Sequence, residues 1–293
     1  MDGAAIPMHG RLTERGREVL AGRRPPVAAR DAATVMLLRP SGAAAPEAAG
    51  VPAPEAPGIE VYMLRRKTSM AFAPGGFVFP GGSVDDRDAD SEVAWAGPDI
   101  ADWGRVLDAP PELARALVCA AVRETFEESG VLLAGPSAGA VVPDTTGEDW
   151  EADRNALLDR SLSLAGLLGR RRLVLRSDLL KPWSRWITPV AEERRYDARF
   201  FAAALPSPQQ PRDVGGEAAA LAWVRPADAI AAARGNQIVL LPPTAVTLAE
   251  LAACASVSAA LAAAREVIAV MPGIVQSDDG VWLTLPAALG YPL

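Results

Sequence analysis

The chain has 293 residues, 50% of them hydrophobic, with a formal net charge of −7, two cysteines and one histidine. A chain of this length and apolar content buries a substantial core, and its acidity argues against a surface built to track nucleic-acid phosphates, which is normally basic. Cys119 and Cys254 are too few for a disulfide framework and show no CxxC spacing. His9 lies in a polar segment, so Ser-His-Asp, Cys-His and His-ligated metal chemistries lack a central histidine. Any catalysis therefore falls to carboxylates and arginines. No stretch approaches the roughly 18 to 20 apolar residues of a spanning helix, and residues 1–30 carry no signal-type apolar region, so no membrane partner and a cytoplasmic location are expected.

Taken in chain order, residues 1–30 are polar, arginine-rich and aperiodic, which predicts a flexible leader. The apolar run 34–38 (TVMLL) predicts a strand, and the Ala/Pro/Gly-rich stretch 41–58 a flexible loop before a second strand at 59–66 (IEVYMLRR). The segment 75–82 (GGFVFPGG) is punctuated by glycines and Pro80, so its backbone turns sharply and is able to approach a ligand closely. Pro110 and Pro111 open a helix that runs unbroken to Ser129, where Gly130 supplies its stop. A strand is expected to begin at 131–133, and 147–168 has a helical, leucine-bearing pattern. Strands are predicted at 172–175, 198–205 and 218–224, and a helix with proline in its first turn at 226–234. Beyond Pro242, helices are predicted at 245–254 and 258–270, with a last strand at 281–286 (VWLTLP). The order is that of an α/β protein, with one domain expected over 31–293.

The chemistry concentrates on the helix ending at Gly130. At 100° per residue Glu124, Glu127 and Glu128 project within about 100° of one another, while Val118, Val122, Thr125 and Phe126 lie opposite. Carboxylates at i, i+3 and i+4 repel, and a helix C-terminus disfavours negative charge. A bound cation offsets that cost, and clustered hard oxygens suit Mg²⁺ or Mn²⁺. On the three glutamates alone, a solvated acidic stretch in which Arg123 pairs with Glu127 is the better explanation. The glycine-rich FPGG loop upstream favours a phosphate-and-metal site between loop and helix.

These residues resemble the Nudix hydrolase signature, G-x5-E-x7-R-E-U-x-E-E-x-G-U with U apolar. Arg123, Glu124, Glu127, Glu128, Gly130 and Val131 stand in its spacing, Gly82 closes the opening Gly81-Gly82 pair, and Thr125 replaces one apolar position. Arg123 follows Gly82 by 41 positions where the signature has 14, which implies an insertion of 27 residues, placed at about 83–109. The first glutamate of the signature is left unplaced among Asp88, Glu112 and Arg115. An interrupted box is similar to that of the coenzyme A diphosphatase branch, as are the segments LRRKTSMAFAPGGFVFPGGSVD, PWSRWITPVAEERRYDARFF and LPPTAVTLAEL.

The resemblance implies a Nudix-type α/β/α sandwich with a mixed β-sheet and additional C-terminal helices at about 243–270. It implies a metal-dependent diphosphatase acting on a small-molecule nucleotide diphosphate, with coenzyme A or acyl-coenzyme A as the expected substrate. Glu124, Glu127 and Glu128 would ligate Mg²⁺ or Mn²⁺, and Arg123 would orient a glutamate by a charge-assisted hydrogen bond. Glu217, after Gly215-Gly216, is a candidate further carboxylate, with a solvated turn glutamate as the alternative. Arg65 and Arg66 are candidate phosphate-binding residues, but alternation turns them to opposite faces, so only one is expected to enter the site. Gly81 and Gly82 would bring backbone to the substrate. Trp183, Trp186 and Phe200 are candidates to stack on a base or line an acyl channel, or else to pack the core, and Arg194, Arg195 and Arg199 are further phosphate-binding candidates. ADP-ribose, dinucleotides and nucleoside triphosphates remain alternative substrates, and a nucleotide-sensing regulator without turnover a different class of function. The last lacks an evident recognition helix, since Arg265 is the only basic residue after Leu241. A homodimer is a candidate assembly.

Overall fold

The computed structural model describes residues 3–42, 58–67, 75–212 and 218–293. The chain opens with β1 (Gly3–Pro7), α1 (Arg11–Leu20), β2 (Arg30–Pro40), β3 (Ile59–Arg66), β4 (Phe77–Val78) and β5 (Gly81–Ser83). A 3-10 turn (Asp86–Ala89) leads to β6 (Trp95–Ala96), α2 (Ile100–Leu107), α3 (Pro111–Ser129), β7 (Ala134–Gly135), α4 (Glu148–Leu158) and α5 (Leu164–Arg171). Then come β8 (Val174–Arg176), β9 (Lys181–Ile187), β10 (Tyr196–Ala204), β11 (Ala218–Val224), α6 (Pro226–Arg234), α7 (Pro242–Ala252) and α8 (Val257–Ala262). The last strands are β12 (Ala269–Val270), β13 (Gly273–Ser277) and β14 (Gly280–Pro286).

Strand alternation decides the layers. Successive side chains of a strand face opposite ways, and β2 is buried on both faces: Ala33, Val35 and Leu37 enter one core with α2 to α5, while Met36 and Leu38 enter a second with α6, α7 and α8. A mixed sheet of order β11-β3-β2-β10-β9-β12 thus lies between two helical layers, with β2 and β10 parallel and β9 antiparallel to β10. This is the expected α/β/α sandwich. α3 is buried nearly all round, because it packs on the sheet through Leu117 and Val118 and also meets α2, α4 and β5. Gly130 ends it at φ 72°, the left-handed conformation that a helix C-terminus favours and glycine adopts without strain.

The split in the sheet positions the site. β2 and β3 pair only from Leu38↔Val61 to Pro40↔Ile59 and then part. Beyond that point β5 pairs with β2 and β4 with β3, which brings Gly81 and Gly82 into the gap.

Several expectations change. The predicted flexible leader contains β1 and α1. β1 pairs with β14 over its whole length, in a separate β1-β14-β13 sheet. The helical pattern of 147–168 breaks into α4 and α5, and the strand expected from 131 appears as the short β7 at Ala134. The helix predicted over 258–270 ends at Ala262, since Arg265 turns onto the Trp183 ring at 3.8 Å and residues 269–270 pair with β9 instead. The expected loop 41–58 lies largely outside the described residues.

Candidate active site

The C-terminal turns of α3 face the β5 backbone across the split. Gly81 donates its N–H to Glu128 Oε2 at 2.8 Å, and a Cβ on Gly82 would lie 2.4 Å from Glu124 Oε1. The absence of a side chain at Gly82 therefore lets the Glu124 carboxylate reach the β5 backbone. The acidic face of α3 is not the solvent-facing stripe that the helix pattern suggests: Glu127 is 7% and Glu124 13% exposed.

Arg123 holds this cluster together. Its guanidinium donates to Asp88 through Nε and Nη2 at 3.0 and 2.9 Å, to Glu124 Oε1 at 2.8 Å, to Glu127 Oε2 at 3.2 Å and to the Ser83 carbonyl at 2.9 Å. Its fork geometry serves several carboxylates at once, so the surface ion pair considered from the sequence does not describe it. Burial works against the cation, but the Asp88 hydrogen bond and the charges of Glu124, Asp88 and Glu127 outweigh it and raise its pKa. Burial also pushes the Glu124 carboxyl up to about 7, aided by the charges of Glu127 and Asp88 and opposed by Arg123. Glu127 is raised by the same desolvation.

Asp88 is the residue that sequence reasoning left undecided. It is 2% exposed and fixed from two sides, by Arg123 and by the Asp85 N–H at 2.8 Å within the cap of the 3-10 turn. Glu112 is exposed on the first turn of α3, and Arg115 lies over the Trp95 ring at 5.7 Å. Asp88 stands six positions after Gly82, the spacing that the signature gives its first glutamate. Of the expected insertion at about 83–109, Val93, Trp103 and Leu107 enter the core, and among its residues Ser83 lines the cavity.

A cavity of about 590 Å³ runs from Glu124, Glu127 and Glu128 along the split sheet. Arg66 lines it, whereas Arg65 is exposed and lies off the wall, which corrects its candidacy as a binding residue. Trp186 and Phe200 line it, but Trp183 does not: it is 1% exposed and its indole N–H donates to Glu250 at 2.6 Å. Of the candidates Arg194, Arg195 and Arg199, only Arg194 lines the cavity. Arg195 donates to the Thr188 and Val27 carbonyls and Arg199 to Asp31. Glu217 lies outside the described residues. Arg154, which the sequence did not single out, lines the cavity beside the glutamates and donates to the Glu127 carbonyl at 2.9 Å. Its helical surroundings on α4 gave no chemical signal.

Comparison with known proteins agrees with this geometry. Residues 99–251 match the model of the NUDT19 Nudix domain, more than half of the chain. The chain belongs to the Nudix hydrolase family. It is 30% identical over 268 residues to the acyl-coenzyme A diphosphatase NUDT19 of Homo sapiens, covering 78% of this chain and 70% of that protein. The Xenopus laevis protein of the same name is 27% identical, over 80% of this chain and 71% of its own. A Nudix hydrolase from Alicyclobacillus acidocaldarius superposes with a TM-score of 0.67 at 26% identity, covering 83% of this chain and 99% of that one.

This Nudix hydrolase acts on phosphoanhydride bonds, and its family uses divalent metal ions. The donor set fits such an ion. Three carboxylates, Asp88, Glu124 and Glu127, gather around Arg123, and Glu128 stands beside them on the Gly81 N–H, so hard oxygen donors of the type such an ion prefers are concentrated there. Among the described residues no three carboxylates converge into a ready-made cage. An ion held here would therefore have to complete its shell with water and substrate phosphate. Among the described residues no helix is long and apolar enough to cross a membrane.

Proposed function

We propose that this Nudix hydrolase cleaves the diphosphate of coenzyme A or an acyl-coenzyme A, with Mg²⁺ or Mn²⁺ held by Glu124, Glu127 and Glu128. The observation that carries the reading is that one cavity is lined both by the acidic cluster and by the apolar residues Trp186, Phe200 and Pro243. A diphosphate bearing a long, weakly polar arm matches that distribution. Relatives at 27–30% identity carry the name acyl-coenzyme A diphosphatase, which supports the same substrate.

In this mechanism Arg123 and the Gly81 N–H fix the carboxylates, and Arg66 faces the cavity as a phosphate-binding group. When bound, the metal supplies charge neutralisation at the diphosphate and lowers the pKa of a water. Water adds to one phosphorus and the bridging P–O bond breaks, giving 3′-phosphoadenosine 5′-phosphate and a 4′-phosphopantetheine species. No covalent enzyme intermediate forms.

The test compares coenzyme A, its 3′-dephosphorylated form and ADP-ribose, each with Mg²⁺ and with Mn²⁺, with products identified by mass. Coenzyme A is expected to be preferred over both. Replacing Arg66 by alanine is expected to narrow the difference between coenzyme A and its 3′-dephosphorylated form. A preference for ADP-ribose removes the coenzyme A reading and leaves the diphosphatase chemistry standing.

A further inference from the structure

The apolar end of the cavity contains a residue from an unexpected source. β14 presents Val281, Leu283 and Leu285 on one face, because alternate residues of a strand point the same way. Val281 and Leu285 are each 2% exposed, sealed against Met8 and Ala191 on one side and against the α6–α8 core on the other. Leu283, between them, is only half-buried and lines the cavity. Of the three, Leu283 alone offers apolar area to the cavity, where an apolar part of a ligand would meet it. Pro272, just before β13, lines the cavity with it.

This wall is held firmly. β14 is the central strand of its sheet, and Leu283 is in register with Ile6 of β1 and Ile274 of β13. The whole β1-β14-β13 sheet lies outside residues 99–251, the part that matches the family's domain model. The catalytic carboxylates and this wall thus come from different parts of the chain and meet across one cavity.

We infer that the β1-β14-β13 sheet is a specificity wall, on which Leu283 and Pro272 receive the acyl chain of the substrate and favour acylated over free coenzyme A. The inference rests on the coenzyme A reading. It adds that discrimination at the acyl end is carried by a sheet whose strands share no residue with the diphosphate site.

The experiment measures kcat/KM for lauroyl-coenzyme A and for free coenzyme A in the wild-type protein and in Leu283→Trp and Leu283→Ala, with the thermal midpoint of each as a check on folding. Tryptophan fills the opening and alanine withdraws the apolar contact. The ratio of the two kcat/KM values is expected to fall about ten-fold in Leu283→Trp and several-fold in Leu283→Ala, the scale of removing or blocking part of an apolar subsite. Should the tryptophan variant fail to fold, the alanine variant decides alone. A ratio within about two-fold of wild type in the folded variants overturns the inference while the substrate reading stands. A wild-type protein inactive on both compounds removes that reading and the inference with it.

Discussion

The two ends of the cavity are built on different principles. At the acidic end position is fixed by charge: one buried arginine contacts Asp88, Glu124, Glu127 and a carbonyl, and a glycine N–H holds Glu128. At the apolar end Leu283, Pro272 and Trp186 line the wall, and Leu283 is placed by its strand register and by packing, with no charge involved. The difference reflects what each end must do. Attack of water on phosphorus requires placement to within a fraction of an ångström, whereas an alkyl chain gains its binding from area and tolerates some slack.

The most severe way to break the acidic end is to remove its cation. Arg123→Met leaves Asp88, Glu124 and Glu127 buried without a counter-charge, and is expected to destabilise the protein by about 3–5 kcal/mol, the scale for breaking a buried ion pair. Urea unfolding in chelator measures it. A loss below about 1 kcal/mol would mean that the cluster is far better solvated than its burial indicates.

Glu128→Gln separates charge from shape. The amide oxygen still accepts the Gly81 N–H, so the fold should persist, but one anionic ligand is gone. We expect kcat at saturating metal to fall by at least about 100-fold with the thermal midpoint little changed. Near-normal turnover would exclude Glu128 from the metal site.

The metal-free protein should also respond to pH. The Glu124 carboxyl lies at about 7 in the folded state, above its ordinary 4.5, and Glu127 is raised as well. A carboxyl whose pKa is raised by folding favours the folded state while protonated, so this contribution is full below about pH 4.5 and is lost as pH rises towards 7. The denaturation midpoint in chelator is therefore expected to fall across that window, and to fall less in Glu124→Gln. A flat profile would show that burial does not perturb these groups.

The sequence made the acidic end far more legible than the apolar one. The box residues lie within a single helix, whose spacing alone puts Glu124, Glu127 and Glu128 on one face, and β3, β11 and α6 occupy their predicted spans. Asp88 escaped because 35 positions separate it from Arg123, and only burial and hydrogen bonding distinguish it from Glu112 and Arg115. The wall around Leu283 depends on Gly3↔Pro286 pairing, a contact across nearly the whole chain that no local pattern encodes. The five residues of β1 are too short, and too rich in glycine and alanine, to announce a strand. The span 263–270 is helical by propensity, but tertiary contacts with Trp183 and β9 override it.

The smallest expected effects come from the two glycines, and they separate stability from activity within neighbouring residues. A Cβ on Gly81 would sit 2.5 Å from the Ala33 carbonyl oxygen and 2.8 Å from Thr34 Cα, both backbone atoms of the central strand β2. Those atoms are held in the sheet and cannot move aside cheaply, so Gly81→Ala is expected to cost about 1–3 kcal/mol of stability, as overpacking does. A Cβ on Gly82 meets instead the Glu124 carboxylate, 2.4–2.7 Å away, at the end of a side chain that can shift. That shift moves the carboxylate off its 2.8 Å contact with Arg123 and away from the metal position. Gly82→Ala should therefore fold with a thermal midpoint close to wild type and lose about ten-fold in kcat, the lower end of the effect of disturbing a ligand's support. Thermal unfolding and steady-state kinetics on the pair provide the check. If Gly82→Ala is destabilised as much as Gly81→Ala while its kcat is retained, Glu124 is part of the packing rather than of the site, and the charge-built end reduces to Glu127 and Glu128.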